Sequence, residues 1–159
     1  MADGEYNKKD LARGVDYIGV NCVFFCHDGK GNFLLGKRSQ KCRDEQGRWD
    51  FGAGAIEFGE TFEEAVRREV KEEYGVDPIR IEYVGTRDAI RNHEGRTTHW
   101  IVNLHSVLVD PEQAIIGDPE KIDEIGLFSL DNLPEPLHSY AHDGIEMIRD
   151  YFKKKSKLI

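Results

Sequence analysis

Residues 54–76 of the chain read GAIEFGETFEEAVRREVKEEYGV, and as a helix they place acidic side chains among apolar ones. With about 100° between successive residues, four apolar side chains form one stripe. They are Phe62, Ala65, Val66 and Val70. Glu69 and Glu73 fall within this stripe and Glu72 lies at its edge. Burying carboxylates together is costly unless cations compensate their charge. The pattern therefore favours a site for a hard divalent metal, which prefers oxygen ligands.

An ordinary solvated helix with ion pairs between residues i and i+4 is the alternative interpretation of the same stretch. This alternative accounts for Arg68 with Glu72, which have the spacing of a pair. It does not account for Glu69 and Glu73, because the neighbouring basic residues 67 and 71 lie on the other side of the helix. The spacing favours the metal site.

Nine positions of the stretch fit the signature G-x5-E-x7-R-E-U-x-E-E-x-G-U, where U is a bulky apolar residue. These positions are Gly54, Glu60, Arg68, Glu69, Val70, Glu72, Glu73, Gly75 and Val76. The stretch resembles the Nudix box, also called the MutT motif. The resemblance implies an α/β fold, the Nudix-type α/β/α sandwich with a mixed β-sheet between helices. It also implies hydrolysis of a phosphoanhydride with Mg²⁺ as the cofactor and Mn²⁺ as a substitute.

The resemblance also implies roles for residues of the box. Glu69, Glu72 and Glu73 would hold the metal ions, joined by a backbone carbonyl of residue 53 or Gly54. Arg68 would orient the glutamates through an ion pair, and Glu60 is expected to connect the loop to the helix. Gly52-Ala53-Gly54 replaces the Pro-Gly-Gly of many relatives. This departure leaves the carbonyl in place but makes the geometry of the loop uncertain.

Two candidate residues lie outside the box. Glu120, within Asp118-Pro119-Glu120-Lys121, is the candidate for a general base or an additional metal ligand, with Glu124 as the second candidate. A solvated loop acid is an equally good interpretation of either one alone. Arg38 closes the segment LLGKR, which resembles the family's phosphate-binding strand, so it is the candidate substrate-binding residue.

Turn-forming segments divide the rest of the chain into predicted elements. Strands are expected at residues 17–26, 32–38, 49–54, 78–91, 97–109 and 125–130, and a closing helix at residues 140–155. Thr61 and Glu64 have the spacing of a capping box at the start of the box helix, and Gly75 is placed to end it. Residues 1–16 are polar and are expected to form a flexible N-terminal arm, followed by one Nudix domain at residues 17–155.

Composition limits the classes of partner. The chain has 159 residues and a net charge of −8, which argues against non-specific binding of nucleic acid or of an anionic membrane surface. The expected partner is a small nucleotide, and the sequence leaves open whether the protein is a monomer or a homodimer. Three cysteines without paired spacing, and no apolar run long enough for a signal peptide or membrane span, make the cytoplasm the expected location.

Three functions remain open from the sequence. The first is a pyrophosphohydrolase that converts a nucleoside triphosphate into a monophosphate and pyrophosphate. The segments around residues 57–60 and 119–121 resemble that branch of the family. The second is a hydrolase of a nucleoside diphosphate linked to another group, such as ADP-ribose, a nucleotide sugar or a dinucleoside polyphosphate, or of a non-nucleotide diphosphate. The third is a nucleotide-binding module without catalysis, against which the intact glutamates argue.

Overall fold

The computed structural model describes residues 11–157, except the side chain at position 93. The strand predicted at residues 49–54 is divided in two, and otherwise the order of strands and helices is the predicted one. They are β1 Gly19–His27, β2 Asn32–Arg38, β3 Trp49–Asp50, β4 Gly52–Ala55, α1 Phe62–Tyr74, β5 Arg80–His93, β6 Arg96–Leu108, β7 Ile122–Ser129 and α2 Ala141–Ser156. Neither α1 nor α2 has the length and apolar character needed to cross a bilayer.

Within the described residues, seven strands form one mixed sheet. Its main path runs β3-β2-β1-β6-β5, while β4 pairs with β1 and β7 pairs with β2. The β1–β6 pair is parallel and the other pairs are antiparallel. The pairing of β4 with β1 places Gly54 opposite Cys22 near the centre of the sheet. The start of the box is therefore fixed beside the helix that carries the glutamates.

A separate hydrophobic core covers each face of the sheet. Side chains of β1 alternate between the two cores, with Cys22 and Phe24 on the α1 side and Phe25 on the α2 side. Cys22 and Cys26 are fully buried, as predicted for small core residues. With α1 on one face and α2 on the other, the predicted α/β/α sandwich is confirmed.

Two further local features differ from the sequence prediction. Phe62 is 40% exposed and packs near the His105 ring, because it is the first residue of α1, so the buried stripe begins at Ala65. Strand β7 begins at Ile122 because it continues to pair with β2 beyond an irregularity at Lys37/Arg38.

The arm predicted at residues 1–16 lies only partly within the described residues. Residues 1–10 lie outside the described range, but Arg13 and Gly14 contact the domain. The Arg13 guanidinium donates to the Ile56 carbonyl at 3.1 Å, and the Gly14 carbonyl accepts from the His99 amide at 2.7 Å. Contacts with the domain therefore begin before the predicted boundary at Tyr17.

Candidate active site

The helix α1 is fixed at both ends by the predicted caps. The Thr61 side chain accepts from the Glu64 amide while the Glu64 carboxylate accepts from the Thr61 amide. Gly75 ends the helix in the left-handed conformation, with φ 66°. Between these caps Glu69 and Glu73 are only 5% and 6% exposed. The prediction that α1 buries two carboxylates is confirmed.

Arg68 joins three glutamates at the rim of this site. Its Nε and Nη2 donate to the two oxygens of Glu60 at 2.7 and 3.0 Å, and its Nη1 donates to Glu69 Oε1 at 2.7 Å. Glu72 Oε2 lies 3.5 Å from the same Nη1. The hydrogen bond from Arg68 lowers the pKa of Glu60, which keeps this carboxylate charged. Arg68 thus connects the loop to the helix and holds one oxygen of Glu69.

Gly54 makes room for the Glu69 side chain. A Cβ atom at Gly54 would overlap the Cδ, Oε1 and Cγ atoms of Glu69. The Gly54 carbonyl accepts from the Cys22 thiol at 3.5 Å. The second carboxylate oxygen of Glu69, Oε2, is buried and has no hydrogen-bond partner among the described residues. An unpaired buried oxygen of this kind is costly and suits a bound cation.

Lys121 lies next to both buried carboxylates. Its Nζ is 3.5 Å from Glu73 Oε1, 3.8 Å from Glu69 Oε2 and 3.9 Å from Asp118 Oδ2. Burial raises the pKa of Glu73 to about 8, with Lys121 opposing the shift and Glu69 and Asp50 adding to it. Burial alone would lower the pKa of Lys121, but Glu73 and Glu69 outweigh it and raise that pKa. Lys121 therefore carries a positive charge between the carboxylates.

The third glutamate of the motif has a different environment. The Glu72 side chain is 52% exposed and faces Arg68 rather than Glu73. No group of three or more acidic, histidine or cysteine side chains in the described part of the chain is already clustered as a metal site. The structure therefore places Glu69 and Glu73 next to Lys121 and leaves the Glu72 side chain exposed beside Arg68.

The two candidates outside the box have different surroundings. Arg38 lines the cleft above Glu73, and its guanidinium donates to the Asp44 carbonyl and carboxylate, the latter at 2.8 Å. The Glu120 carboxylate is 70% exposed and pairs with Lys41 Nζ at 2.5 Å. It is its neighbour Lys121 that reaches the buried glutamates.

Two adjoining cavities open beside the carboxylates. The first, of about 300 Å³, is lined by Arg38, Ala53, Glu73 and Lys121 among others. The second, of about 210 Å³, shares Arg38 and Ala53 with it and extends to Arg91. The two cavities adjoin at these shared residues and are together called the cleft; Glu73 lines the first cavity and Glu69 lines neither. A larger cavity, of about 400 Å³ between β2 and α2, contains neither buried glutamate.

The far end of the cleft is polar and partly aromatic. The Arg91 guanidinium lies 3.8 Å above the Tyr140 ring, and the Nε atoms of Arg87 and Arg91 have no hydrogen-bond partner among the described residues. Asp50 lies between the two cavities, 3.8 Å from His138, and its burial raises its pKa.

Lys121 and the residues at the far end of the cleft were not predicted from the sequence. One feature of the sequence could have indicated Lys121. It is a lysine in an acidic segment, between the two candidate residues Glu120 and Glu124. Asp50, Arg91, His138 and Tyr140 are distant from one another in sequence and meet only through the fold.

Comparison with known proteins shows the family. A model of the NUDIX domain matches residues 17–151. The chain belongs to the Nudix family. The NAD-capped RNA hydrolase NudC of Vibrio atlanticus is 45% identical to this Nudix chain over 137 residues, which are 85% of the chain and 47% of that protein. The NudC of Pseudomonas aeruginosa is 33% identical over 104 residues, 65% of the chain.

A solved structure agrees with the fold. The MutT NUDIX hydrolase from Burkholderia pseudomallei matches with a TM-score of 0.72 and 28% identity, covering 83% of this Nudix chain and 98% of that one. By their names these relatives are hydrolases, in agreement with the enzyme class that the sequence predicts. The chain spans about a third of the length of the Pseudomonas relative, 34%.

Proposed function

We propose that the protein is an Mg²⁺-dependent pyrophosphohydrolase that cleaves a nucleoside triphosphate into a nucleoside monophosphate and pyrophosphate. The observation that carries the proposal is the pair of buried carboxylates, Glu69 and Glu73, of which Glu73 lines a cavity that Arg38 also lines. A buried acidic pair is unfavourable by itself. It becomes useful where a cation and a polyphosphate chain must be held together.

The residues present fit a hard cation. The available donors are oxygens of Glu69, Glu72 and Glu73 and the carbonyl of Gly54, and Glu69 Oε2 has no other partner among the described residues. A bound Mg²⁺ neutralises phosphate charge and lowers the pKa of a bound water. Mn²⁺ takes similar oxygen ligands and is the expected substitute.

The protein's own groups would orient the reaction. Arg68 holds Glu69 Oε1 and keeps its other oxygen directed away from the guanidinium. Arg38 binds the phosphate chain from the cleft wall, in exchange for part of its contact with Asp44. Glu120, after leaving Lys41, acts as general base or as an additional ligand.

The far end of the cleft would hold the nucleoside. The Arg91–Tyr140 stack offers a flat surface, and arginine donors suit the acceptor atoms of a base or sugar. The cavity that Arg91 and Tyr140 line shares Arg38 and Ala53 with the cavity that Glu73 lines. The free cysteines Cys22, Cys26 and Cys42 agree with a reducing compartment, and a cytoplasmic location is part of this proposal.

A second candidate function is hydrolysis of the diphosphate of a dinucleotide, as part of NAD or at the 5′ end of an RNA. It is favoured by the two relatives named NAD-capped RNA hydrolase. The acidic net charge argues against non-specific RNA binding but not against entry of a single 5′ terminus.

One experiment tests both candidates. The protein is incubated with Mg²⁺ and a panel of nucleoside triphosphates, ADP-ribose, nucleotide sugars, NAD and NAD-capped RNA, in ¹⁸O-labelled water. The proposal expects a triphosphate to give monophosphate and pyrophosphate, with no turnover after chelation or in Glu69→Gln. Preferred cleavage of a dinucleotide supports the second candidate. Orthophosphate with a nucleoside diphosphate, or turnover that survives chelation, contradicts the proposal.

A further inference from the structure

The ammonium group of Lys121 lies where the carboxylates of the site converge. It contacts oxygens of Glu73, Glu69 and Asp118 at 3.5, 3.8 and 3.9 Å. We propose that Lys121 is a positioning residue whose ammonium holds Glu69 and Glu73 together until a divalent cation displaces it. This inference rests on the proposed function, since it assumes that the cation binds at these two glutamates.

The backbone of Lys121 is fixed although its side chain can move. Its amide donates to the Asp118 carbonyl at 3.1 Å, and its carbonyl accepts from the Ser39 amide at 2.8 Å and the Cys42 thiol at 3.4 Å. The side chain is 49% exposed and lines the cleft, so it can swing outward without passing through the core. Displacement therefore requires a change of rotamer rather than a change of fold.

The distances explain why a divalent cation would replace the ammonium. All three separations exceed the 2.7–2.9 Å or so that is usual for a hydrogen bond between an ammonium and a carboxylate. Lys121 thus compensates the charge of Glu69 and Glu73 but leaves Glu69 Oε2 without a hydrogen bond among the described residues. A divalent cation carries twice the charge and coordinates oxygen directly at about 2.0–2.1 Å. Both differences favour the exchange.

After it is displaced, the ammonium of Lys121 would have a second role. Lys121 and Arg38 line the same cavity beside Glu73, so an ammonium that leaves the glutamates enters the space where the phosphate chain is proposed to bind. One side chain then serves two steps, first holding the ligands in place and later contacting phosphate.

The first test measures Mn²⁺ binding directly, from the EPR signal of free Mn²⁺ in titrations of the full chain. Lys121→Met removes the competing charge and is expected to bind Mn²⁺ about tenfold more tightly or more, the scale of change that neighbours of metal ligands produce. Lys121→Arg keeps the charge and is expected to remain near wild type. Lys71→Met, which breaks only the exposed pair with Asp77, is the matched control and should leave binding unchanged.

Unchanged or weaker Mn²⁺ binding by Lys121→Met overturns the inference while leaving the proposed function intact. If the variant with both Glu69→Gln and Glu73→Gln binds as much Mn²⁺ as the wild-type protein, the inference and the proposed function both fail. A second measurement uses the wild-type protein and does not depend on the folding of a variant. Acetylation of individual lysines, followed by mass spectrometry, should increase at Lys121 when Mn²⁺ is added and stay constant at Lys71. No increase at Lys121 overturns the inference.

Discussion

Gly54 and Glu69 are in such close contact that a Cβ atom at Gly54 would overlap the glutamate side chain. The two residues belong to different elements, β4 and α1. The first glycine of the motif is therefore required by packing against Glu69, the first of the three candidate metal-binding glutamates. This packing constraint does not involve the Gly54 carbonyl. Gly54 therefore provides both room for the Glu69 side chain and a backbone oxygen.

Gly54→Ala is expected to lower kcat by about 10²-fold, because a misplacement of about 1 Å at a reacting group has this effect. The fold should survive, since the overlapping atoms are at the end of a flexible side chain that can move. Steady-state kinetics and a melting curve measure the two effects separately. Gly85→Ala, whose Cβ would meet only the end of Met147, is the control and should keep full activity. Equal activity of the two variants would show that Glu69 need not lie where it does.

The stability of the protein without added metal should fall as the pH rises toward 8. Burial raises the pKa of Glu73 from 4.5 to about 8, so the folded protein keeps a proton that the unfolded chain has lost. The stabilisation is complete below pH 4.5 and disappears as the pH passes about 8. In between, the free energy of unfolding should decrease by up to about 1.4 kcal/mol per pH unit.

Urea unfolding in chelator at several pH values measures this dependence. Glu73→Gln cannot titrate and should have a flatter profile between pH 5 and pH 8 or so. Glu63→Gln, on the exposed side of α1, should follow the wild-type profile. If the profiles of wild type and Glu73→Gln are parallel, Glu73 is ionised throughout and Lys121 compensates it fully.

Much of the fold follows from local sequence. The capping box at Thr61 and the glycine at position 75 determine α1 before any tertiary contact is considered. Alternation of side chains predicts β1 and β2, and the motif spacing predicts that Glu69 and Glu73 are buried. Each of these signals involves residues within a few positions of one another.

The rest of the site depends on chain segments that meet only in the folded protein. Lys121 reaches the glutamates because it directly precedes β7, whose pairing with β2 begins at Ile122. Arg91 stacks on Tyr140 because the strand β5 runs beside the start of α2. Periodicity and spacing along the sequence do not indicate which distant residues will meet in the fold. For that reason Glu120 was predicted from the sequence and Lys121 was not.

Mg²⁺ or Mn²⁺ should raise the melting temperature of the wild-type protein, since a ligand that binds only the folded state stabilises it. At one hundred times the dissociation constant the gain is about 2.7 kcal/mol. Glu69→Gln combined with Glu73→Gln should be more stable than wild type in chelator at about pH 8 and above, because two buried groups that can ionise are removed, and should lose most of the metal effect. Thermal unfolding with and without millimolar metal measures both. If metal raises the melting temperature of the double variant as much as that of Glu63→Gln, the cation binds elsewhere.

Arg38→Ala should raise KM by about 10-fold to 100-fold with a smaller change in kcat. This range corresponds to losing a hydrogen bond to a charged group, about 1.5–3 kcal/mol. Lys37→Ala is a matched control, because Lys37 pairs with Glu124 and lies near the Trp49 ring instead of lining the cleft. Initial rates over a range of substrate concentrations separate the two constants. A fall in kcat at constant KM would give Arg38 a role in the transition state instead.

Glu120→Gln should lower kcat and remove one ionisation from the pH profile, if the carboxylate leaves Lys41 to serve as base. The structure provides a control for the ion pair itself. Lys41→Gln breaks the same 2.5 Å contact without altering the carboxylate. A general base at position 120 requires that only Glu120→Gln lose turnover, whereas Lys41→Gln should equal or exceed wild type because its glutamate is released. Equal effects of the two substitutions would mean that the pair only holds the loop, and the base would then have to be sought among Glu72 and the residues around Asp50.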